Sequence, residues 1–145
     1  MERIENVRVI NHDQFLELKN QTIEDEDVVF YSCGDIGPMG RDAPRFPNVK
    51  MFWMLNCNKN FVFYWTWRSK FPNAEFVLMD SPMCEQMVDF RDCVVCMDKR
   101  LKWYAEPMMK SITEKGGEIH LFDFEPLRKR LDAVLFSRGE YVASW

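Results

Sequence analysis

Histidine is scarce in this chain, with only His12 and His120 in 145 residues. Neither belongs to a local metal-ligand spacing, so no paired-histidine site can be drawn, and both are expected to be noncatalytic. No apolar run approaches the length of a membrane span, and Met1 to Asn6 lack the apolar core of a signal peptide. An excess of basic charge is also missing. The formal net charge is −4 and the sequence pI about 5.2, which leaves no overall footprint for nucleic acid, although a local basic patch escapes such a count. Five cysteines form no recognisable disulfide framework. Reduced thiols and an intracellular setting, cytoplasmic or nuclear, are therefore expected.

Glycine is sparse too, and three of the six sit at Gly34, Gly37 and Gly40. The loop from Gly34 to Asp42 lacks both the Gly-Lys-Ser/Thr ending of a phosphate loop and the dinucleotide fingerprint, so it reads as a surface connection before a ligand loop. What the chain does have is apolar mass: 47% apolar residues, with twelve Phe, ten Met and five Trp. That is enough for one folded domain over residues 1–145.

The organising feature is a repeat. Phe46-Pro47-Asn48 leads into Val49, Phe52 and Met54, and 25 residues later Phe71-Pro72-Asn73 leads into Ala74, Val77 and Met79. The alternating core recurs at Val28 and Phe30, at Val94 and Cys96, and at Ile119 and Leu121, with Val7 and Val9 as a degenerate first member. Strands are predicted at 7–10, 28–32, 50–55, 75–79, 93–97 and 118–122. Between them, Asn11 and Gln14 predict a capped helix, and Pro126 opens a final helix with Leu127, Leu131, Val134 and Leu135 on one side. That helix is expected to close the open end of the array.

The pattern resembles irregular leucine-rich repeats of the kind that accompany F-box proteins and recur in giant-virus proteomes. The resemblance implies an α/β fold of short strand-helix or strand-loop units on a mainly parallel sheet. It also implies a non-enzymatic module binding another protein, with a viral or host-interaction factor as one form. No F-box-like helical segment precedes the repeats, so an adaptor role in ubiquitin ligation is not expected. The alternative is an α+β fold in which Met51–Leu55 and the aromatic run Phe61–Trp67 form an antiparallel hairpin over 51–67.

Trp53, Glu75 and His120 alternate with the core series and are the candidate partner-contact residues. A covering loop over Trp53 is the competing reading for that residue. The enzyme alternative rests on Asp35, Asp80, Asp98 and Asp123, each just after a predicted strand, where carboxylates can gather around a substrate or a divalent metal. Aspartate is equally common at such junctions as a turn or cap residue. Cys93 and Cys96 have CxxC spacing, but in a strand they point to opposite faces, so buried thiols are expected instead of a zinc or redox pair. No metal ligand set and no cofactor is implied.

Overall fold

The computed structural model describes residues 7–34, 36, 39, 42–58, 61, 67–80, 90–101 and 109–139. It is an α/β fold around one six-stranded parallel sheet. The strands are β1 (Arg8–Ile10), β2 (Asp27–Tyr31), β3 (Met51–Leu55), β4 (Phe76–Met79), β5 (Val94–Asp98) and β6 (Glu118–Phe122). They lie side by side in chain order, each pair parallel. Every predicted strand is present, with starts within one residue of expectation. The antiparallel alternative over 51–67 is not what forms: both edges of β3 are taken by parallel neighbours, β2 and β4. The second arm of that hairpin falls partly on 62–66, outside the described residues, and Trp67 instead begins a helical turn, α2 (Trp67–Lys70).

A parallel sheet needs cover on both faces, because its connections return over it. One face, termed the crossover face, carries Val28, Phe30, Phe52, Met54, Val77, Met79, Val95 and Met97 against the returning chain. Its centre is a stack of rings. Phe46 and Phe71, the two phenylalanines of the repeated Phe-Pro-Asn, lie parallel at 4.7 Å, and Phe52 stacks on Phe71 at 4.3 Å. The two asparagines do equivalent work: Asn48 Nδ2 donates to the Glu24 carbonyl at 3.2 Å and Asn73 Nδ2 to the Pro47 carbonyl at 2.7 Å. Each thus ties its unit to the preceding one.

Paired positions step by 20, 24, 25, 18 and 24 residues from β1 to β6, as Arg8, Val28, Phe52, Val77, Val95 and Ile119 align. This corrects the assignment of two strands. The crossover-face pair in β5 is Val95 and Met97, not Val94 and Cys96, and in β1 it is Ile10, whereas Val7 and Val9 belong to the other layer. A slip of one residue inverts a strand's faces. With both faces buried, Val94-Val95-Cys96-Met97 carries no alternation to read.

The first helix, α1 (His12–Glu17), starts on a complete capping box: Asn11 Oδ1 accepts from the Gln14 N–H and Gln14 Oε1 from the Asn11 N–H, both at 2.9 Å. Phe15 enters the core from it, while Leu16 stays exposed. The helical segment α3 (109–114) ends where Gly116 adopts φ +88°, and the Gly117 N–H reaches back to the Ile112 carbonyl at 2.9 Å. A Cβ on Gly117 would stand 2.7 Å from Phe90 Cβ and from Ile112 Cγ2. Gly117→Ala is therefore expected to lower stability by about 1–3 kcal/mol through overpacking; a urea midpoint equal to that of the unsubstituted chain would contradict it.

The last helix, α4 (Glu125–Ser137), departs from expectation most. It does not cap the end of the array but crosses the second sheet face, packing Leu127, Leu131 and Leu135 over Val29, Trp53, Leu55 and Leu78. Its first turns sit at the carboxyl ends of β4 and β5, where Arg128 meets Asp80 and Asp98. Just past its end, Arg138 Nη1 donates to the Val7 carbonyl beside β1 at 3.1 Å. The helix therefore runs diagonally. It is about 20 Å long, at 1.5 Å per residue, against about 24 Å for five strand-to-strand spacings, so it leaves the lower corner of β4, β5 and β6 uncovered.

Candidate functional site

Two regions collect the residues that sequence reasoning singled out. The first is a polar ladder along the carboxyl ends of the strands. Ser32 and Asn56 follow β2 and β3 in left-handed backbone, at φ 52° and 54°, and Asn56 Nδ2 donates to Ser32 Oγ at 3.0 Å. The Asn56 N–H is in turn received by both Asp80 oxygens, at 2.9 and 3.1 Å. Arg128 Nη2 bridges Asp80 Oδ2, at 3.1 Å, and Asp98 Oδ2, at 2.5 Å. Arg100 completes the chain, its Nε donating to Asp98 Oδ2 at 2.7 Å.

Of the three described candidate aspartates, Asp80 and Asp98 converge, and what they converge on is a guanidinium. Asp98 is fully buried and Arg128 is 2% exposed. Burial alone would raise the Asp98 carboxyl, but hydrogen bonds from Arg128 and Arg100 outweigh it and hold the group below its ordinary value. Asp123 stands apart, accepting from the Glu125 N–H at 3.1 Å and facing Lys99 Nζ at 3.8 Å. Asp35 lies outside the described residues. Among the described residues, no group of three or more His, Cys, Asp or Glu is arranged to hold a metal ion. Ligand crevices in parallel sheets open where the strand order reverses, and among the described residues the strand order shows no reversal. The arrangement is suited to seating α4.

Arg128 is the residue that sequence reasoning missed. It lies beside Leu127 on the apolar side of α4, and a buried cation there signals a carboxylate beneath it.

The cysteines show the placement expected of a strand. Cys93 packs in the crossover core and Cys96 against the opposite layer, and burial pushes the Cys93 thiol up to about 11. Cys33 and Cys57 are buried near one another, and their mutual hydrogen bond raises the Cys33 thiol far above its ordinary value. Thiols held protonated in this way are poor nucleophiles and poor metal ligands. In the glycine loop, the Gly34 N–H donates to His12 Nδ1 at 3.0 Å. Ile36 and Met39 of the same loop are buried.

The second region is the corner that α4 leaves open. Phe76, Val94, Glu118 and His120 lie there, Phe76, Val94 and Glu118 in one row by register, and Glu75 adjoins Phe76 at the strand's start. Phe76 is 37% exposed, although its row neighbour on β3, Met51, is partly covered by the α4 layer. Beside it opens a groove of about 400 Å3, with Phe76, Val94 and Ala74 as apolar lining and Lys50, Arg68, Glu75 and Asp92 as polar lining. Arg68 is fixed in place by donating to the Ala74 carbonyl at 2.9 Å and to the Arg91 carbonyl. The diagonal of α4 thus divides the sequence-derived contact set. Glu75 and His120 are exposed, whereas Trp53 is 3% exposed and lies under the helix. Trp53 is no surface residue: its cover is α4 instead of a loop.

A family model described as a family of unknown function, DUF5845, matches residues 28–106, just over half of the chain. The chain belongs to that family. In this DUF5845 member the matched segment runs from β2 through β5 and includes Asp80, Asp98 and Phe76, while Arg128 and α4 lie beyond it. No curated protein and no solved structure matches the chain.

Proposed function

We propose that this DUF5845 member is a non-enzymatic recognition module that binds another protein at the open corner of its sheet, on a leucine-rich-repeat-like scaffold. The observation that carries the reading is Phe76, a large apolar side chain left 37% exposed beside a groove at the start of β4. Aromatic anchors in grooves with a polar rim are where binding energy concentrates. The charged groove lining is balanced, Lys50 and Arg68 against Glu75 and Asp92, with Arg91 and Glu118 exposed nearby. The fitting partner segment therefore presents an apolar anchor with polar flanks. Cys33, Cys57, Cys93 and Cys96 are free thiols, which supports an intracellular setting.

Selection of random peptides against the immobilised full chain tests the reading. Enriched sequences should share an apolar anchor, and Phe76→Asp should weaken them by about tenfold or more. No enrichment, or affinities indifferent to Phe76→Asp in a folded variant, would reject this surface.

A further inference from the structure

The outer side of α4 carries a second unusual surface. Lys129, Ala133 and Phe136, spaced i, i+4 and i+7, point away from the sheet, and Phe136 is 81% exposed. This stripe and the open corner lie on the same side of the sheet, because α4 packs on the face that also presents Phe76. We propose that the corner receives the α4 stripe of a second copy of this chain, and that the exchange is reciprocal about a two-fold axis. The inference rests on the corner being a recognition surface and names its partner.

Three matches carry it. The charges are complementary: Lys129 on the stripe answers Glu118 at the corner. The lengths agree, since Lys129 and Phe136 are about 10 Å apart along a helix and Glu118 and Phe76, two strands apart in one row, are about 10 Å apart across a sheet. The order agrees as well. Phe136, Ala133 and Lys129 set against Phe76, Val94 and Glu118 place ring on ring, the small side chain over valine, and cation on carboxylate. Each copy carries both patches, so two identical contacts close the pair and leave no open end, as an isologous dimer requires.

Sedimentation of the intact chain across micromolar concentrations, with peptide binding measured on the same samples, tests the proposal. A reversible monomer–dimer equilibrium is expected. Phe136→Asp and Lys129→Glu should each weaken it by about tenfold or more, and Lys129→Glu combined with Glu118→Lys should restore it. Both stripe residues are exposed, so the variants should keep the circular dichroism of the unsubstituted chain. A chain that stays monomeric, or a dimer indifferent to Phe136→Asp and to the charge exchange, overturns the proposal. A monomer that still binds peptides through Phe76 rejects the second copy and leaves the recognition reading standing, whereas a monomer that binds none rejects both.

Discussion

Arg128→Met is expected to destabilise the fold by about 3–5 kcal/mol near neutral pH, because it leaves a buried carboxylate without its counter-ion. Asp98 has no exposed surface, and Asp80 beside it is nearly as deep. Arg100 remains to Asp98, but its own side chain is half exposed and cannot replace a guanidinium set between the two carboxylates. The effect should depend on pH in a particular direction. In the unsubstituted chain the Asp98 carboxyl is held below its ordinary 3.8, so the stability it contributes is complete above that value. It is lost only as pH falls through the lower folded value. In the variant, burial is opposed by less positive charge and the folded value rises. The deficit should therefore be largest above pH 4 and shrink on acidification. Urea unfolding of both chains at several pH values checks this, and a deficit that is small or grows towards acid would contradict it. Removing the charges together, as Arg128→Met with Asp80→Asn and Asp98→Asn, should recover much of the loss, because apolar or neutral replacement of a whole buried ion network is far milder than breaking it.

Trp53→Ala should cost about 3–5 kcal/mol, the range for deleting a large aromatic from a packed core. The indole lies between sheet and α4, and its Nε1 has no hydrogen-bond partner among the described residues. Trp53→Phe removes that unsatisfied donor along with some volume. The two effects oppose each other, so a loss of only about 1 kcal/mol is expected. Chemical denaturation of the two variants distinguishes a core residue from a contact residue. If Trp53→Ala unfolds at the same urea concentration as the unsubstituted chain while peptide affinity falls, Trp53 is on the surface and α4 does not lie over it.

The parallel sheet was legible in the sequence because the strands are marked by short apolar runs and two of their connections carry the same Phe-Pro-Asn. Phe46 and Phe71 recur because they stack on one another, and Asn48 and Asn73 recur because each bonds the preceding unit's backbone. The registers of β1 and β5 were not legible, since apolar residues on both faces erase the alternation that would set them. Nor was the course of α4. The spacing of Leu127, Leu131 and Leu135 fixes which side of the helix is buried, but not which of two apolar surfaces it is buried against. That choice is made by Arg128, whose partners are 30 and 48 residues earlier in the chain. The candidate contact set divided for the same reason: the alternation put Trp53 and His120 on one sheet face, and only the diagonal of the helix decides which of them meets solvent.

Hydroxyl-radical footprinting of the intact folded chain, at a dilution where it is monomeric and read residue by residue by mass spectrometry, is the most direct test, because it reports which side chains α4 covers and which it leaves open. Strong modification of Phe76, His120 and Phe136 with protection of Trp53 is the predicted result. Protection of Phe76 and His120 together with heavy modification of Trp53 would mean that α4 does not cross this face, and the open corner would not exist.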